Sequence, residues 1–238
     1  MKKVLTTVVG LLFVCAMTAC GAGKKADAPA AAAPEAKSEG VMTYAEYDAA
    51  ALDSEVTIEA YVQAHQSWWD NQITVYAADQ EGAYFIYNMA CSEEDAAKLN
   101  PGTKIKVKGY KTEWSGEIEI ADGTFEIEDG NYIAPAIDAT EMLGTEELIK
   151  NQNRLVTFKD MTVSAVSYKN NEPGDDIYVN FKKGDAEYAF CLEYYLNGSD
   201  EEFYNKVGNL EVGQVCDVEA YLYWYEGPNP HITAVTVK

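Results

Sequence analysis

The stretch LNPGTKIKVKGY, residues 99–110, returns further along the chain as LEVGQVCDVEAY, residues 210–221. The displacement is a constant 111 residues, held in register from Leu99 and Leu210 through Tyr110 and Tyr221 to Gly116 and Gly227. A unit of that size is a domain rather than a solenoid repeat. The chain must therefore fold into one architecture twice.

Alternation of apolar and polar residues shows what the unit is made of. In VTIEAYVQ, Val56, Ile58, Ala60 and Val62 alternate with Thr57, Glu59, Tyr61 and Gln63, the period of a half-buried strand. ITVYAA and AYFIYN follow, separated by DQEG, a tight-turn composition that predicts a hairpin. In CSEEDAAKL, Ser92 with Asp95 three residues on marks a short helix. GTKIKVKGY and GEIEIA complete the copy as two strands, with Lys104, Lys106 and Lys108 expected to face Glu117 and Glu119. The second copy repeats this order: RLVTFKDMTVSAV, with a bulge expected at Lys159 and Asp160, then DIYVNF, AEYAFCLEYY, a helix opened by Ser199 with Glu202, GQVCDVEAYLYW and HITAVTV. MTYAEYDAAALDSE and ATEMLGTEELIKNQN each read as a short helix capping a barrel end.

Three strands, a helix and two strands is the order of the OB-fold, a five-stranded Greek-key barrel. The predicted class is all-β dominant, with two tandem five-stranded OB barrels and short helices. Through the leucine, Gly102 or Gly213, the alternating strand and the loop glycine at 116 or 227, the chain resembles the tandem OB-fold domains of secreted bacterial proteins and surface lipoproteins. The likeness spans nearly all of residues 41–238, and its pattern is specific for fold and weak for function, because one fold hosts many activities.

The start of the chain fits that address. MKKVLTTVVGLLFVCAMTAC has two lysines, an apolar run of about a dozen residues and small residues before a cysteine, the pattern of a secretory signal. Met17, Thr18, Ala19 and Cys20 resemble a lipobox, which implies that Cys20 is acylated and anchors the protein to the extracytoplasmic face of the cell membrane. Residues 21–40, rich in Ala, Pro and Gly, read as a disordered tether. The expected organisation is a signal peptide at 1–19, the lipidated cysteine and linker at 20–40, and OB domains at 41–137 and 138–238. Beyond the anchor, Cys91, Cys191 and Cys216 are an odd number. Cys191 and Cys216 read as small buried hydrophobes, with a bridge between them as the alternative.

OB barrels bind ligands on the face of their second and third strands, flanked by the loops joining strands 1 to 2 and 4 to 5. In the first copy those loops are AHQSWWDNQ and KTEWSGE, which bring Trp68, Trp69 and Trp114 to one mouth. In the second they are SYKNNEPGDD and LYWYEGPNPH, which place Tyr168, Tyr223, Trp224 and Tyr225 similarly. Tyr76 and Tyr178 match across the repeat and point away from the apolar side of the second strand. These nine aromatics are the candidate ligand-binding residues, suited to flat apolar faces.

Charge narrows the ligand. Residues 41–137 carry 5 basic and 18 acidic side chains and residues 138–238 carry 8 and 18, with Arg154 the sole arginine, in a chain of formal net charge −21. Phosphate neutralisation needs Lys and Arg, so nucleic acid is disfavoured and a neutral saccharide, a peptide or a basic protein is expected instead. The alternative is an envelope assembly protein whose aromatics pack the barrels together or onto a partner. Acidic turns such as EPGDD lack calcium-loop spacing, so no metal is expected, and no cofactor motif is present. His65 and His231 adjoin the mouth loops but have no nucleophile or metal set beside them, so catalysis is not expected.

Overall fold

The computed structural model describes residues 36–238. The expected signal segment, Cys20 and most of the linker lie outside the described residues. The first barrel is built from β1 (Glu55–His65), β2 (Gln72–Ala78), β3 (Ala83–Ala90), β4 (Thr103–Trp114) and β5 (Glu117–Asn131). Its strand order is β1-β2-β3-β5-β4, closed by pairing of β4 with β1, with β3 and β5 parallel. The second barrel repeats this closure with β7 (Leu155–Tyr168), β8 (Ile177–Lys183), β9 (Ala186–Leu192), β10 (Val215–Tyr221) and β11 (His231–Val237). β10 pairs back onto β7, β9 and β11 are parallel, and the short β6 (Ile137–Asp138) lies along β7. Both copies are OB barrels.

Each barrel has its own core. Val56, Ile58, Ile73, Val75, Ile86, Ile105, Val107 and Ile120 fill the first, and Phe158, Val163, Val179, Phe181, Phe190, Val218 and Ile232 fill the second. These are the inward positions of the predicted alternation, because a period of two sends successive side chains to opposite faces.

Local signals behave as their chemistry requires. Helix α1 (Tyr44–Ala49) begins in a reciprocal capping box between Thr43 and Glu46, and α2 (Glu93–Ala96) begins at Ser92, whose hydroxyl accepts the Asp95 N–H. In the DQEG turn, Asp79 accepts the backbone N–H groups of Glu81 and Gly82. The bulge in β7 falls at the predicted place, with Asp160 at φ +54° and a register shift opposite Cys216 and Val218.

Three details correct the sequence reading. Strand β5 runs to Asn131, so Lys104 and Lys106 pair across from Glu128 and Glu126, not from Glu117 and Glu119. Lys104 instead bridges Glu59 at 3.1 Å and Glu128 at 3.3 Å. The helix expected from Ser199 is two helices, α3 (Tyr194–Asn197) capped by Glu193 and α4 (Glu201–Gly208) capped by Asp200, since a carboxylate one residue on accepts the first-turn N–H equally well. The segment before the second barrel forms two 3-10 turns, Thr140–Met142 and Ile149–Asn151, rather than an α-helix. Cys91, Cys191 and Cys216 are free and buried.

Candidate functional site

The repeat equivalence breaks on the β2–β3 face of the first barrel. Tyr76, pointing outward from β2 as expected, has no exposed surface, because the second barrel covers it. Its ring stacks on Tyr221 with centroids 4.4 Å apart and planes at 12°, and Phe85 packs beside it at 5.0 Å. The Tyr76 hydroxyl lies 2.9 Å from Nδ1 of His231, whose ring stacks on Tyr223 with centroids 4.4 Å apart. Burial holds this imidazole neutral, its pKa pushed down to about 3. Tyr76, Tyr223 and His231 are thus parts of a joint between barrels, and His231, which adjoins the loop joining strands 4 and 5, is buried within it.

The loop joining strands 4 and 5 also meets its own counterpart. The Glu226 N–H donates to Ser115 O at 2.7 Å, and the Trp224 N–H donates to the Glu117 carboxylate at 2.8 Å. Gln152 spans the same seam, accepting from the Ile118 N–H and donating to Gly116 O. Trp224 is half-buried against the second core, while Trp114 is 62% exposed and Tyr225 is exposed. Tyr168 is half-buried beside Tyr204, and Tyr178 is half-buried on the outer face of β8 between Ser167 and Cys191. The nine predicted aromatics therefore do not form two equivalent mouths.

A different grouping is assembled at the β1–β2 loop. Trp68 turns inward, packs on the first core and donates its indole N–H to Cys91 O at 2.9 Å. That anchor leaves Trp69 outside, 78% exposed, with its backbone locked by reciprocal bonds to Gln72. Across from the loop comes α3 of the second barrel: Ser67 N–H donates to Tyr195 O at 2.7 Å and the Gln66 amide donates to Glu193 at 3.2 Å. Tyr195 is 60% exposed.

Between them lies a groove of about 480 Å³ lined by Gln66, Ser67, Trp69, Gln72, Ile73, Thr74, Asn88 and Tyr195. No lining side chain is charged. Asn88 reaches it through a β-bulge: its φ is +45°, and the pairing of β2 with β3 shifts between Ile73 and Val75. The bulge turns both Tyr87 and Asn88 outward, and Thr74 fixes Asn88 by bonding its N–H and its side chain. The groove thus offers two aromatic surfaces and a ring of amide and hydroxyl groups. Sequence reasoning named Trp69 but missed Tyr195, Gln66, Gln72 and Asn88. The bulge has no local marker, and Tyr195 reaches the site only because the barrels dock.

Among the described residues no group of three or more His, Cys, Asp or Glu side chains is placed to hold a metal ion. Among them too, no helix is long and apolar enough to cross a membrane.

No protein-family model and no curated protein sequence matches the chain. Among solved structures it is similar to the p202 HIN1 domain in complex with 12-mer dsDNA, at 11% identity and a TM-score of 0.36 over 80% of this chain and 94% of that one. It is similar to the Ifi202 HINa domain in complex with 20bp dsDNA, at 10% identity and 0.35 over 78% and 98%. A third is a Replication Protein A heterotrimer bound to ssDNA, at 10% identity and 0.31, over 77% of this chain and 49% of that one. The likeness is one of fold. The expectation of a saccharide, peptide or basic-protein ligand, with nucleic acid disfavoured, is corrected at the site itself, since no charged side chain lines the groove and part of the expected aromatic platform is buried. The joint also removes its footing, because Tyr76 and Tyr223 are spent between the barrels. A net charge counted over a whole domain does not describe a groove without charged walls.

Proposed function

We propose that the protein is a binding protein for unpaired nucleobases, which enter the groove between Trp69 and Tyr195. The observation that carries this reading is the lining itself: two exposed aromatic rings flank the amides of Gln66, Gln72 and Asn88 with no charge among them. Unstacked bases are held by stacking on aromatic side chains and by hydrogen bonds to their edges, and an amide carries both donor and acceptor. The base enters first and the phosphates stay in solvent. Binding rather than catalysis is the role proposed. Its address follows from the first twenty residues: a lipid on Cys20 holds the protein at the extracytoplasmic face of a bacterial membrane.

A single-stranded oligothymidylate titrated against the protein tests the reading. Stacking of one ring contributes about 1–3 kcal/mol, so Trp69→Ala and Tyr195→Ala should each weaken binding roughly tenfold to a hundredfold. Because the surrounding surface is acidic, salt screens repulsion and affinity should hold or rise with ionic strength. Affinity that falls steeply with salt and survives both substitutions would contradict it, since that is the signature of phosphate neutralisation.

A further inference from the structure

Outside the groove, the outer face of β3, β5 and β4 carries a second aromatic grouping, and its layout follows from register. Ile118 and Ile120 of β5 turn toward the first core, so Glu117, Glu119 and Ala121 turn to the outer face. On one side of β5, Phe85 of β3 stands across from Glu119, and Tyr87, two places on, comes level with Ala121. On the other side, Thr112 of β4 stands across from Glu119 and Tyr110 across from Ala121. Tyr87 is 46% exposed and Tyr110 is 44% exposed. The small Ala121 leaves a slot between them, with two tyrosines as walls, a methyl group as floor and the Glu119 side chain next along the strand. Tyr223 of the second barrel packs on Phe85 with centroids 5.3 Å apart, and Phe85 stacks in turn on Tyr87.

The slot is acidic and has no cation of its own. Glu119 is buried, and the Thr112 hydroxyl bonds it at 3.4 Å. The next lysine on this face of β4, Lys108, is held by Glu55 at 3.0 Å. Lys111 is committed to the carbonyls of Tyr47, Asp48 and Ala50. Burial raises the Glu119 carboxyl above its ordinary value, a cost that a positive charge seated beside it would offset.

The walls select the kind of cation. β3 and β4 lie one strand spacing to either side of β5, so their backbones are about 9.5 Å apart. A charge centred over Ala121 is therefore within the roughly 6 Å at which a ring face attracts a cation, on both sides. A metal ion needs several oxygen ligands, and the slot offers one carboxylate and one hydroxyl. A primary ammonium brings three N–H donors to the same two groups and is strongly hydrated. An alkylated ammonium has no N–H to satisfy, and its methyl groups bury against the rings.

We propose that Tyr87, Tyr110 and Glu119 form a binding site for a small quaternary ammonium ion, separate from the nucleobase groove and not dependent on that reading. Choline and its uncharged isostere, the alcohol with carbon in place of the ammonium nitrogen, test it when titrated against the full chain at constant ionic strength and followed by saturation-transfer NMR. Choline should bind saturably and the isostere about tenfold more weakly. Tyr87→Ala and Tyr110→Ala, both at exposed rings, should each weaken choline about threefold to thirtyfold, and Glu119→Gln about tenfold or more. Trp69→Ala should leave choline binding unchanged while it weakens oligothymidylate, so the two sites fail separately. No saturable choline binding, equal affinity for the isostere, or choline binding that survives loss of both tyrosines would overturn the site. Failure of oligothymidylate binding alone would count against the nucleobase reading and leave this site standing.

Discussion

Tyr76 and Tyr178 hold matching positions on the outward side of the second strand of each barrel, yet they have opposite fates. Tyr76 is sealed under Tyr221 and tied to His231, whereas Tyr178 sits half-exposed on the outer face of β8. Both strands obey the same alternation, and both barrels close the same way. What differs is the neighbour. A tandem repeat copies a fold but not its surroundings, so the second barrel seals the Tyr76 part of the β2–β3 face in the first copy, while Tyr178 at the matching position of the second stays half-exposed.

The largest effect that should separate the two tyrosines is on stability. Tyr76→Ala removes a fully buried ring and leaves His231 without its partner, so it should cost about 4–5 kcal/mol or more by chemical denaturation. Tyr178→Ala should cost about 1 kcal/mol. Equal losses would mean that the joint contributes nothing beyond ordinary burial.

Next in size is the pH dependence set in the same joint. A carboxyl raised from 4.5 to about 8 on folding makes the native state bind more protons than the unfolded chain between those values. Its contribution is therefore complete below about pH 4.5 and is lost as pH rises through about 8, a change on the order of 4 kcal/mol. Glu117→Gln should flatten that part of the stability profile and be the more stable protein at alkaline pH. A mutant profile as steep as the wild type would place the titration elsewhere.

A smaller contrast lies within the lysine strip. Lys104 is nearly buried against Glu59, which is itself buried, so Lys104→Gln should cost about 2 kcal/mol. Lys108 pairs with Glu55 in solvent, and Lys108→Gln should cost less than about 0.5 kcal/mol. Comparable values would show that the inner pair is as screened as the outer one.

What could be read from the sequence was whatever depends on neighbours along the chain. The repeat at 111 residues, the inward set from Val56 to Val62, the Ser92 cap and the Asp160 bulge are all local signals, and the structure has each of them. The site was legible only in part. Trp68 and Trp69 are adjacent in sequence, and alternation separates them into an anchor and a platform. Nothing near Tyr195 signals that it completes a groove begun at Gln66, because 128 residues separate the Ser67 hydroxyl from the Tyr195 carbonyl it bonds. Glu117 looked like one solvent-facing member of an alternating GEIEI strand. Its burial comes from Trp224 and Asn153 of the other barrel, which no pattern within β5 records.

Photo-crosslinking distinguishes directly a strand seated in the groove from one laid on the β8–β9 face. A single-stranded oligonucleotide carrying a halogenated uracil, irradiated with the protein and mapped by mass spectrometry, should attach to Trp69 or Tyr195. Attachment to Tyr178 or to Lys182 on β8, with Trp69 and Tyr195 unmodified, would contradict the account.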